Sequence, residues 1–255
     1  MFLLLVVALG SSGAWAKSAA SDAGQKNPMF QINKDTLKAK IDAINTREGI
    51  DEATKSKLLS IYQTAEDNLA KIEKFKAQTA DFKAALKQAP EQTKRLQKEI
   101  EQASLKASRQ KPEDFSRIPV EELEQRLIIE KGNLSNLDEQ LKKLEDELAV
   151  QSSRPQFIRE EMLAAQQDIE TAQKKLGMTA DKSDSKLEVE ARQAQLKTSI
   201  DSRAAELKML DVEAISNPAR VELLKAQFQQ LDMQKAALSS VVAAIESLAL
   251  DLRQQ

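Results

Sequence analysis

Carboxylate pairs are the most frequent candidate chemistry in this 255-residue sequence: Glu121-Glu122, Glu145 with Glu147, and Glu160-Glu161. Two carboxylates divide acid–base work when their surroundings push their pKa values apart, which needs a concave, partly buried setting. These pairs stand among lysines and arginines, mostly off the apolar positions, so a solvated helix face is their expected role. The chain has no His and no Cys. The first absence removes the commonest general base and metal ligand, and the second removes thiolates and disulfides. Ser and Thr are plentiful, but no His is present to activate them. The six glycines are scattered singly, so there is no phosphate-cradling loop. Asp181-Lys182-Ser183-Asp184 approaches a calcium loop but lacks its Gly and closing Glu, and reads as a polar connector. The residues therefore predict no enzyme, no cofactor and no metal site.

The elements that would carry such side chains are helices. Of the residues, 31% are charged, 4% are aromatic, and there are six Gly and six Pro. Few turn formers and many charged residues, with Ala, Leu and Gln, suit long helices, and the lack of aromatics argues against a thick core. Lys and Arg total 38 against 40 acidic residues, so there is no basic face and no nucleic-acid partner is expected. The clearest pattern is a seam: Val120, Leu127, Leu134, Leu141 and Leu148 fall seven apart, with Leu123, Leu137 and Leu144 between them. This spacing lines one side of a helix and calls for burial against other helices. Glu130, Asn68 and Lys235 are polar residues at seam positions. They either fix register or lie where a seam meets water.

In chain order, residues 1–16 end in Ala14-Trp15-Ala16 after an apolar run from Phe2 to Leu9, and read as a signal peptide. That run is too short to span a bilayer. Residues 17–32 read as a flexible N-terminal arm. Residues 33–253 read as an extended helical coiled-coil domain with helices at about 33–46, 52–89, 91–108, 120–151, 155–176, 186–216 and 218–253. The breaks are set at Ala89-Pro90, the two prolines of 111–119, Pro155, Gly177 and Asn217-Pro218, because proline lacks the amide proton a helix interior uses. Asp51 and Asn217 read as N-caps, Pro155 as a first-turn residue and Gly177 as a C-cap. Gly132, inside the seam, costs about 1 kcal/mol relative to Ala, or else marks a close helix crossing. Short breaks favour antiparallel neighbours, so the expected fold class is all-α, with long antiparallel hairpins in a bundle.

Residues 68–92 resemble the N-terminal extracytoplasmic region of the large MscS-type mechanosensitive channels, the KefA or MscK group. The resemblance rests on Leu69, Ile72 and Glu73, followed by Gln88, Ala89, Pro90 and Glu91. Leu123, Glu124 and Arg126 resemble the opening of that family's next long helix, and Arg154-Pro155 followed by Ile158 resembles its next break. The likeness spans most of residues 35–250. It implies a periplasmic helical domain, called a porin domain, ahead of a membrane pore. Alternating strands of a barrel are absent from the sequence pattern. The expected role is assembly, envelope contact or gating modulation, with ion conduction in a channel part outside this chain. The expected partners are protein helices, from further copies in a homo-oligomer or from envelope proteins. Membrane attachment would come only through the channel part. The other reading is a free periplasmic coiled-coil adaptor or chaperone-like protein.

Overall fold

A computed structural model describes residues 32–109, 115–178 and 185–254. The expected signal peptide, the arm up to residue 31, residues 111–114 of the expected loop at 111–119 and the Asp181–Asp184 segment lie outside the described residues. Among the described residues there are four helices and no strand: α1 Lys34–Asn45, α2 Glu52–Arg109, α3 Val120–Gly177 and α4 Lys186–Gln254. At about 1.5 Å per residue, α4 runs on the order of 100 Å.

Local chemistry sets the helix starts. At α1, the Thr36 amide donates to Asn33 Oδ1 at 2.8 Å and the Asn33 amide donates to Thr36 Oγ1 at 2.9 Å, a reciprocal capping box. At α2, Asp51 acts as the cap, with the Thr54 amide donating to its Oδ1 at 2.9 Å. Gly49, between α1 and α2, has φ +81, a left-handed conformation that other residues adopt at a cost. Phe115 is buried against Leu123 and Ile245 and holds the segment that enters α3, with Arg126 over its ring at 4.9 Å.

Helix α4 is the spine. It packs along α2 and along α3, whereas α2 and α3 do not pack backbone to backbone. Lys57 pairs with Glu188, Asn68 Nδ2 donates to Thr198 Oγ1, and Gln230 Nε2 donates to Glu99, so α2 and α4 run parallel. Glu124 pairs with Arg253, Asp138 with Lys235 and Asp168 with Arg203, so α3 runs antiparallel to α4. The consecutive pair α3–α4 is thus the expected hairpin. The parallel pair follows because the chain reverses twice between α2 and α4. Ala191, Ala194, Thr198 and Ser202 are buried on α4, and these small residues let α2 approach closely.

The seam faces α4. Leu123 and Leu141 are buried, and Val120, Leu127, Leu134, Leu137, Leu144 and Leu148 are half-buried, because α3 is covered from one side. The polar seam residues each have partners: Asn68 bonds Thr198, Lys235 pairs with Asp138 at 2.6 Å, and Glu130 accepts from Asn133 at 3.0 Å. Register-fixing bonds across helices account for Asn68 and Lys235, while Glu130 is held within its own helix.

The expected breaks at Pro90, Pro155 and Pro218 are corrected: each proline lies inside a continuous helix. Packing along α4 outweighs the roughly 3 kcal/mol that an interior proline costs. Asn217 is therefore not an N-cap, and Pro155 is not in a first turn. Gly177 is the last residue of α3 without a left-handed φ, and the Met178 amide donates to the Lys175 carbonyl at 3.3 Å instead. Gly132 marks no close crossing, since a Cβ built there meets nothing within 4 Å. Gly132→Ala should therefore stabilise the chain by about 1 kcal/mol, raising Tm by roughly 2–4 °C in thermal unfolding followed by circular dichroism.

Candidate functional site

The three interior prolines lie within about two helical turns of one another along the bundle and mark one zone of it, the proline level. Gln88 and Ala89, beside Pro90, line a cleft with Gln151 of α3, four residues before Pro155, and with Arg220 of α4, two residues after Pro218. A helical proline leaves the carbonyl four residues earlier without its amide partner. For Pro90 that residue is Leu86 and for Pro218 it is Ala214. Both prolines and both partners are exposed, so water can satisfy those carbonyls. Gln151 and Pro155 are half-buried, and there the structure supplies a donor: Asn217 Nδ2 donates to the Gln151 carbonyl at 3.0 Å. Asn217 is 3% exposed, so its amide is committed to this role.

Around this bond sits a charge-balanced polar node. Arg154 donates Nε and Nη2 to Glu213 at 2.7 and 2.9 Å, and Nη1 and Nη2 to Glu161 at 2.7 and 2.8 Å. One guanidinium fork thus ties two carboxylates, one on its own helix and one on α4. Arg220 donates Nη2 to Gln151 Oε1 at 2.8 Å and lies over the Phe82 ring of α2 at 4.8 Å. Its Nη2 is 3.9 Å from Glu213, and its buried Nε has no hydrogen-bond partner. The node therefore joins α2, α3 and α4 through two arginines and two glutamates. The Glu213 and Glu161 hydrogen bonds raise the Arg154 pKa above the ordinary arginine value. Burial lowers that of Arg220. Directly beneath, Ile158, Met209 and Leu210 form an apolar cluster flanked by Phe75, Phe82 and Met162.

Arg154 holds the Glu161 carboxyl below its usual pKa of 4.5, and Lys57 with Ser185 brings Glu188 down to about 2. Both folded pKa values lie below the unfolded ones. Their stabilisation is present above pH 4.5 and is lost as pH falls through the folded values. Tm measured as a function of pH should hold steady above that point and decline towards pH 2. Lys57→Met should flatten part of the decline.

The expected family-motif residues fall in three places. Leu69 and Ile72 are half-buried on α2, with Glu73 exposed and paired to Lys76 at 2.8 Å. Gln88 and Ala89 line the cleft beside Pro90, and Pro155 follows four residues after Gln151 of the same cleft. Leu123, Glu124 and Arg126 sit far along α3, where Leu123 is fully buried, Glu124 pairs with Arg253 and Arg126 covers Phe115. Of the carboxylate pairs, Glu121-Glu122 is exposed or at the α3 start, and Glu145 and Glu147 are exposed. Glu161 departs from the expected solvated role, being bound by Arg154. Glu213, Asn217, Arg220 and Phe82 were not legible as a group. The only sequence hints were the Arg154–Glu161 spacing of two helical turns and the Asn-Pro step. Among the described residues, no group of three or more Asp and Glu side chains is placed to hold a metal ion.

Among the described residues the chain is a bundle of four helices whose α2, α3 and α4 meet at this charge-balanced node. The model of the mechanosensitive ion channel porin domain matches residues 40–255, and the chain belongs to that family. No curated protein and no solved structure matched the chain. Among the described residues, no helix is long and apolar enough to cross a membrane.

Proposed function

We propose that these helices form a non-catalytic, load-bearing domain of a mechanosensitive channel on the periplasmic side of the membrane. In this reading they take no part in lining the pore. They modulate gating, and they contact envelope proteins or neighbouring subunits. The observation that carries the mechanical role is the proline level. Three helices each lack one backbone hydrogen bond within about two helical turns of one another, so bending there breaks fewer bonds than elsewhere. The node spanning that level restores one fixed arrangement when load is removed. Helical continuity above and below would transmit displacement along α4.

Patch-clamp recording tests the proposal. In the channel that carries this domain, deleting residues 34–254 should shift the tension needed for opening and leave single-channel conductance unchanged. An unchanged threshold would contradict the gating role, and an altered conductance would contradict its separation from the pore.

A further inference from the structure

A second cleft, of about 450 Å³, opens between α2 and α3 over the N-terminal half of α4. Its rim carries Lys71 and Lys74 from α2 and Lys175 from α3, all exposed. Its floor includes buried Asn68 and Ser202, with half-buried Ser199 beside them. Arg203 and Asp168 also line it and neutralise each other at 2.7 Å, with Glu206 holding Arg203 from beside at 2.6 Å. Elsewhere in the bundle three lysines are paired across helix interfaces, Lys57 with Glu188, Lys131 with Glu246 and Lys235 with Asp138. Among the described residues, the three rim lysines form no ion pair. The cleft thus gathers positive charge from two helices whose backbones do not pack against each other.

We propose that this cleft binds a phosphate-bearing anion that bridges α2 and α3. The free cations are ammonium groups, which serve as point charges for phosphate, whereas the one guanidinium suited to a carboxylate fork is already engaged. Hydroxyls of Ser199 and Ser202 supply donors for phosphate oxygens. A ligand with two or more negative charges would clip α2 to α3 across α4. The phosphate could belong to a free soluble anion or to a lipid headgroup, and the two are separable.

The full chain is titrated calorimetrically with inorganic pyrophosphate at low salt. In parallel, its sedimentation with phosphatidylglycerol vesicles is compared with that on phosphatidylcholine vesicles. The K71Q/K74Q/K175Q variant is measured beside a control, K98Q/K142Q/K143Q, whose lysines are exposed and outside the cleft, with circular dichroism confirming helicity in both. Pyrophosphate binding that weakens about tenfold or more in the cleft variant, fades with added salt and is unchanged in the control supports a soluble ligand. Binding confined to phosphatidylglycerol with the same dependence on the three lysines identifies a headgroup. Absence of binding to either probe, or equal losses in the two variants, overturns the proposal.

Discussion

Glu213→Gln is expected to lower unfolding stability by about 2–4 kcal/mol in urea titrations. The Glu213 side chain is 7% exposed and is the counter-ion facing both Arg154 and Arg220. Losing its charge leaves two guanidinium groups near each other, with Arg220 already carrying an unpartnered Nε. Arg154 is partly exposed and keeps Glu161, which holds the cost below that of orphaning a fully buried ion. Glu161→Gln is the comparison. That carboxylate is 42% exposed, so its loss should cost about 1 kcal/mol or less. Equal losses in the two variants would show that Glu213 does not organise the node.

The second large effect is expected at Leu210, which is fully buried where α2, α3 and α4 converge. Leu210→Ala should cost about 3–4 kcal/mol through lost burial and the cavity left behind. Ile158 and Met209 share its buried cluster, and Phe75, Phe82 and Met162 pack against that cluster, so groups from three helices would have to move to close the cavity. Leu163, 56% exposed on α3, provides the contrast, and Leu163→Ala should stay within about 0.5 kcal/mol. An unchanged denaturant slope in both variants would place the effects in the folded state.

The helical class and the seam on α3 were legible because periodicity depends only on which residues are apolar. On α3, Leu123 and Leu141 are buried and the other six seam residues are half-buried. The helix boundaries were not legible at the prolines. A proline states that one amide is missing, but not whether tertiary contacts replace it. At Pro155 the replacement comes from Asn217, 62 residues later in the chain, so no local window contains both. The same long separation hid the node: Arg154 reads as part of a break, and Glu213 as one carboxylate among 40 acidic residues. The parallel pairing of α2 with α4 was hidden for another reason. Seam spacing fixes which face is buried, but not which helix covers it or in which direction.

In the proposed mechanical role the bundle flexes at the proline level. Spin labels placed by Lys208→Cys and Gln234→Cys would flank it on exposed positions of α4, in a chain with no native cysteine. A straight helix would separate them by about 39 Å. Pulsed dipolar spectroscopy should give a broad distance distribution in the unaltered background. The P90A/P155A/P218A background should give a narrow one near the straight-helix value. A distribution that is already narrow and unmoved by the alanines would contradict the account, leaving a rigid domain whose prolines have no mechanical part.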